Sequence, residues 1–268
     1  MSRTLALAFP IAILAVLTAC DSDGDGLSNH DEASAGTDPE VPDTDGDGVL
    51  DSDEVHMGAD PLNADSDADG YPDGLEVEHG SNPLDPDDGL YKGGWPYNPD
   101  KDSIVDPGWE GHAEIGATLP RFKWVDQHDE EVDIYDFAGH GKPVIIDVSE
   151  YRCYWCQEAA GMLEGEPSAF DSYGYAEMKE KVDNGDVYWV TLLDGDYYTG
   201  ADIDEDIRDH WMALFPNENV PVLMDEDRQM AAWMQLRGYP DMLLVEDDMV
   251  VSVHGDIYTD VWDEILSR

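Results

Sequence analysis

Residues 113–268 alternate between two spacings of apolar side chains. "RFKWVD" (Arg121–Asp126) and "EVDIYDF" (Glu131–Phe137) alternate apolar with polar positions and predict a strand pair. "KPVIIDVS" (Lys142–Ser149), apolar from Val144 to Val148 except at Asp147, reads as a buried strand. A helix is expected from Cys156 to Leu163, and further helix to about Val182. Strand "DVYWVTLL", helix Ile203 to Phe215, strand "VPVLMD", helix Arg228 to Leu236, strands "DMLLVED" and "MVVSVHG", and a last helix from Tyr258 complete the pattern. Strands alternating with helices predict an α/β layer structure.

Upstream the pattern is different. From Asp85 to about Gly111 the chain is rich in Gly, Pro, Trp and Tyr, with neither period. It reads as a linker whose aromatics pack on the following domain. Between Asp21 and Asp85 the chain repeats itself every 22 residues: "DSDGDGLSNHDE", "DTDGDGVLDSDE" and "DSDADGYPDGLE", with "GTDP", "GADP" and "GSNP" between them in the same register. Matched repeats with matched spacers predict one structural unit used three times. The expected parts are 1–19 signal peptide, 20–89 acidic repeats, 90–112 linker and 113–268 α/β domain.

Charge sharpens this picture. The 268 residues carry 63 acidic and 13 basic side chains, a formal net charge of −50, which excludes nucleic acid as a partner because phosphates need Lys and Arg. No Lys or Arg lies between Arg3 and Lys92, while 23 Asp and Glu do. The repeats are therefore a cation-holding segment.

Each repeat fits the D-x-D-x-D-G calcium loop, with oxygen donors at positions 1, 3, 5 and 9, Gly at 6 and Glu at 12. The expected ligands are Asp21, Asp23, Asp25, Asn29 and Glu32; Asp43, Asp45, Asp47, Asp51 and Glu54; and Asp65, Asp67, Asp69, Asp73 and Glu76. Calcium takes six to eight oxygens in flexible geometry, which carboxylates on alternate residues supply better than zinc or copper would accept. The flanks lack the long helices of a paired EF-hand. The units resemble thrombospondin type 3 repeats and the related acidic repeats of bacterial surface proteins, which implies structural Ca2+ in an irregular, coil-like stalk.

"MSRTLALAFPIAILAVLTAC" has the layout of an export signal, and Leu17-Thr18-Ala19-Cys20 resembles a bacterial lipobox. That resemblance implies lipidation of Cys20 and a bacterial cell-envelope protein anchored to a membrane on the exported side.

Cys153 and Cys156 form a C-x-x-C at a strand-to-helix junction inside a β-α-β pattern. From spacing alone such a pair is a redox centre, half a metal site or a staple. Zinc needs four ligands, and no second Cys or His pair has suitable spacing. Haem attachment needs His where Gln157 stands. "GATLPRF", "GKPVIID" running into "CYWC", and "RGYPDMLLV" occur in the order seen in TlpA/ResA-like thiol-disulfide oxidoreductases of the thioredoxin superfamily, which the chain resembles over about residues 113–268.

The resemblance implies a thioredoxin-like fold, a central mixed sheet flanked by helices, and no organic cofactor. It implies Cys153 as the exposed nucleophile, Cys156 as the resolving thiol, Asp147 as the buried carboxyl that takes its proton, and Pro240 as the cis-proline facing the cysteines. Arg152 before the nucleophile, and Tyr154 and Trp155 between the cysteines, depart from the commoner family residues. The implied partners are a protein thiol or disulfide substrate and a second redox protein. The competing function is a calcium-dependent surface or adhesion protein whose thioredoxin-like domain only binds.

Overall fold

The computed structural model describes residues 20–86, 88–195, 203–255 and 258–268. The expected signal peptide, 1–19, lies outside them. The chain divides after Pro86 into two compact units.

Among its described residues the first unit has three short helices, α1 (Asn29–Ala35), α2 (Asp51–Met57) and α3 (Asp73–His79), one per repeat. The coil expected of the repeats is thus about one-third helical, seven residues in each 22-residue unit, and spacing explains it. Positions 9 and 12 stand three residues apart, so one helical turn puts both side chains on the same face. The loops before the helices turn at Gly26, Gly48 and Gly70, whose φ of 106°, 106° and 103° suits glycine. Apolar burial is slight: Leu27, Val49, Ala59 and Tyr71 form nearly all of it.

The second unit is built on a five-stranded sheet. In chain order its strands are β3 (Val144–Ser149), β4 (Tyr188–Leu193), β5 (Val222–Met224), β6 (Asp241–Val245) and β7 (Val251–His254), and across the sheet they run β5-β4-β3-β6-β7. β3, β4 and β5 run parallel, β6 runs antiparallel to β3, and β7 runs antiparallel to β6. The parallel steps require crossovers. α4 (Tyr154–Glu164) and α5 (Glu177–Asp183) supply the first, α6 (Glu205–Leu214) the second. α7 (Gln229–Met234) leads to β6, and α8 (Thr259–Ser267) closes the chain. The central β3 is buried along its whole length. On one face Ile145, Met242 and Leu244 pack with Ala159 and Met162 of α4, Met178 of α5 and Trp262 of α8. A central mixed sheet flanked by helices, with the cysteine motif where the middle strand enters its helix, is a thioredoxin-like fold.

A separate hairpin, β1 (Lys123–Val125) with β2 (Glu131–Asp133), precedes the sheet. The expected strand to Phe137 stops early because Ile134–Phe137 winds into a 3₁₀ turn. All four of its residues are buried, and consecutive buried side chains do not suit a strand with one solvent face. The Asp133 carboxylate caps this turn by accepting from the Tyr135 N–H at 3.1 Å.

The Gly- and aromatic-rich segment belongs to the second unit. Tyr91 donates its hydroxyl to Asp136 and Trp95 its indole N–H to Asp126, both at 2.7 Å, while the Trp109 ring stacks on Trp124.

Candidate functional sites

β3 ends at Ser149, and a tight turn through Glu150 delivers the chain to α4. The Cys153 N–H donates to the Glu150 carbonyl at 3.0 Å, and the Gln157 amide holds the Tyr151 carbonyl at 2.9 Å. Cys153 is the N-cap of α4, which starts two residues before the expected Cys156; its sulfur accepts from the Cys156 N–H at 3.2 Å. A sulfur held there feels the free N–H groups and positive end of the helix, which favour a thiolate.

The two cysteines are joined as a disulfide. Cys153 is partly exposed, while Cys156 is 1% exposed and packed with Leu193, Trp211, Val222 and Met224. One sulfur is therefore open to attack and the other shielded. A groove of about 680 Å³ opens at Cys153, lined by Trp155, Ala232, Leu236, Gly238 and Tyr239 among others. Tyr154 and Trp155 are exposed beside it. Arg152 is exposed too, its guanidinium 5.4 Å from the Tyr151 ring.

The groove's far wall is the loop before β6, where the Tyr239–Pro240 bond is cis. Three residues that sequence reasoning missed hold this loop. The Arg228 guanidinium donates two bonds to the buried Asp194 carboxylate, at 2.7 and 2.9 Å. The Tyr239 hydroxyl donates to the same carboxylate and accepts from Arg228 at 2.8 Å. Asp194 follows β4 and Arg228 precedes α7, so the triad ties the end of the sheet to the loop opposite Cys153. The available signal was Arg228 itself, one of few basic residues in an acidic chain.

Asp147 is buried in mid-sheet. It shares a face with Ile145, which packs under α4, and it accepts from Ser149 Oγ at 2.9 Å, Trp189 Nε1 at 3.3 Å and Thr191 Oγ1 at 3.4 Å. Burial pushes its carboxyl up to about 7, with these three donors pulling partly back. The folded chain therefore holds an extra proton at Asp147 between roughly pH 4 and pH 7. Stability falls as pH rises through that window, and the penalty is complete above it. An Asp147→Asn variant is expected to gain on the order of 3 kcal/mol relative to the parent at about pH 8 and almost nothing at about pH 4. Chemical denaturation of the disulfide form at several pH values measures this; parallel stability curves for the two proteins would contradict it.

In the first unit each Asp trio, Asp21/Asp23/Asp25, Asp43/Asp45/Asp47 and Asp65/Asp67/Asp69, brings one oxygen per residue within 4.8 Å of the others. Glu32, Glu54 and Glu76 are fully buried, and neither oxygen of any of them meets a hydrogen-bond donor. Burial, reinforced by the neighbouring Asp charges, pushes Glu54 up to about 8 and Glu76 to about 7. Buried acceptors without donors, ringed by further carboxylates, fit a hard cation that takes many oxygens.

The position-nine residues sit differently. Asn29 donates to Ser22 Oγ at 2.8 Å; Asp51 accepts from the backbone N–H and hydroxyl of Thr44 at 2.8 and 2.7 Å; Asp73 accepts from the Ser66 N–H at 2.7 Å. A fourth oxygen group joins Asp47, Glu54 and Asp73 across two repeats.

Cys20 is exposed at the start of the described chain. Among the described residues no helix is long and apolar enough to cross a membrane.

Residues 21–42, 43–64 and 65–86 each match the bacterial TSP3 repeat family. No curated protein matches the chain. Among solved structures, it is similar to the thioredoxin domain of a thiol-disulfide oxidoreductase from Bacteroides vulgatus, at 14% identity over 58% of this chain and 97% of that one, TM-score 0.42. It is also similar to a thiol:disulfide interchange protein from Bacteroides sp., at 16% identity over 57% and 89%, TM-score 0.42. A third is the exposed lipoprotein thioredoxin of Streptococcus pneumoniae, at 17% identity over 55% and 99%, TM-score 0.41.

Proposed function

We propose that this chain is an exported thiol-disulfide oxidoreductase, tethered by a lipid on Cys20 and carried on repeats that fold around calcium. The observation that carries the reading is the asymmetry of the cysteine pair: Cys153 is accessible at a helix N-terminus in a groove, and Cys156 is buried behind it.

In the reducing direction the Cys153 thiolate attacks one sulfur of a substrate disulfide. A mixed disulfide forms and the substrate's other sulfur leaves as a thiolate, which takes a proton from solvent. Cys156 then gives up its proton to Asp147, whose raised affinity for protons suits it to that task near neutral pH. The Cys156 thiolate attacks the Cys153 sulfur, closes the intramolecular disulfide and expels the second substrate thiolate. Two electrons pass to the substrate, and a second dithiol protein restores the pair by the reverse steps. Gly238 and Tyr239, just before the cis Pro240, form the wall against which an extended substrate segment lies, with the Asp194–Arg228 pair fixing that wall.

For the repeats, the matching family and the donorless Glu32, Glu54 and Glu76 support calcium as the bound cation. Residues 20–89 then form a calcium-bound spacer, 90–112 the strap on the redox unit and 113–268 the thioredoxin-like domain. Net charge leaves nucleic acid out of the reading.

The direct test is turnover of a disulfide-bonded protein substrate by the purified chain with dithiothreitol as the electron source. A rate at least about tenfold above the dithiothreitol background is expected, since thiolate activation and positioning both act here. A rate equal to the background would leave a binding domain with a structural disulfide.

A further inference from the structure

The simple calcium loop counts its position-nine residue among its own ligands. The repeats arrange it otherwise. Asp73, position nine of the third unit, brings an oxygen within 4.8 Å of oxygens from Asp47 and Glu54, positions five and twelve of the second unit. Asp73 and Glu54 are both fully buried, and Asp73 Oδ2 and both Glu54 oxygens have no donor. The other Asp73 oxygen is occupied at home by the Ser66 N–H.

The backbone fixes the same relation. The Gly74 N–H donates to Asp47 Oδ2 at 2.9 Å, and one repeat earlier the Ser52 N–H donates to Asp25 Oδ2 at 3.0 Å; both bonds span 27 residues. The Ser52 hydroxyl also reaches the Asp25 carbonyl at 2.8 Å. At Gly74 a Cβ would stand 2.2 Å from the Asp47 carbonyl oxygen, so the two backbones touch with no room for a side chain. Position five of each unit is thus bonded to position ten of the next, and position nine comes with it.

We infer that the second unit's calcium site is completed by the following repeat: Asp73 is a ligand of that site, with Asp43, Asp45, Asp47 and Glu54, whereas both oxygens of Asp51 accept from Thr44, so that at the first unit the backbone register alone repeats. The inference rests on the calcium reading of the repeats. It makes the array directional. The third unit has no successor, because the residue 22 positions after Asp73 is Trp95. Its site, around Glu76, therefore lacks the carboxylate that Asp73 brings to the second and is the weaker of these two.

Asp73→Asn distinguishes the two assignments on the full chain, since Asn keeps an oxygen for the Ser66 N–H and removes only charge. Calcium affinities come from calorimetry. The third site is read separately with terbium excited through Tyr71, which occupies position seven of that loop where Leu27 and Val49 stand in the others. A Tyr71→Phe protein supplies the blank. The expected result is about a tenfold or greater loss of affinity at one calcium site, with the Tyr71-sensitised midpoint moving by less than about twofold. In a Glu54→Gln background, Asp73→Asn should then add little, because both changes strike one site. A tenfold shift of the Tyr71-sensitised midpoint, with effects that add to those of Glu54→Gln, overturns the inference and returns Asp73 to its own loop. Absence of calcium binding by the unsubstituted chain overturns the calcium reading itself.

Discussion

A Cys156→Ser variant should accumulate as a mixed disulfide with its substrate while turnover falls by about three orders of magnitude or more. Cys153 keeps its place at the N-terminus of α4, so attack on an incoming disulfide is retained. What disappears is the intramolecular escape. Cys156 is held within bonding distance of Cys153 by one turn of helix, and such positioning acts as an effective concentration far above that of any free thiol. A serine hydroxyl cannot replace it, being a far poorer nucleophile at neutral pH. The mixed disulfide is read by non-reducing electrophoresis and mass spectrometry. Cys153→Ser should form no such adduct, because the remaining sulfur is 1% exposed. Equal adduct formation by the two single variants would reverse the assignment of attacking and resolving thiols.

Removing calcium should unfold residues 20–86 and leave the second unit folded. The three helices are seven residues each, too short to persist alone in water. Little apolar surface is buried behind them, while Glu32, Glu54 and Glu76 are buried among other carboxylates. When those groups are charged and no cation is present, their repulsion opposes folding. A chain of this length should expand from a radius of gyration of roughly 11 Å to roughly 25 Å. Small-angle scattering and far-ultraviolet circular dichroism before and after a chelator measure both the expansion and the lost helix. The thermal transition of the second unit should hardly move, since it is a compact unit with its own core. Unchanged scattering after chelation would contradict this account of the repeats.

How much of this was legible in the sequence depended on whether the signal was local. The 22-residue period, the apolar run Val144–Val148 ending in C-x-x-C, and the alternation of strands with helices are local, and the sheet and the three repeats follow them. The 3₁₀ turn at Ile134–Phe137 was hidden because its apolar residues mimic a strand. Asp194, Arg228 and Tyr239 lie 34 and 11 residues apart in sequence and meet only because β4, α7 and the loop before β6 converge at one end of the sheet. Nothing in a periodic pattern announces such a meeting. Asp73 is the sharpest case. A 22-residue repeat assigns it to its own loop, whereas the 27-residue backbone register carries it to the loop before.

The reduction potential of the Cys153–Cys156 pair, measured by equilibration in thiol buffers together with the pH dependence of Cys153 alkylation, tests the central claim most directly. The account predicts a reversible couple between about −270 and −120 mV and a Cys153 thiol that ionises below the ordinary value of about 8.5. A pair still oxidised below about −300 mV, or a Cys153 no more reactive than a free thiol, would make the disulfide structural and the domain a binding module.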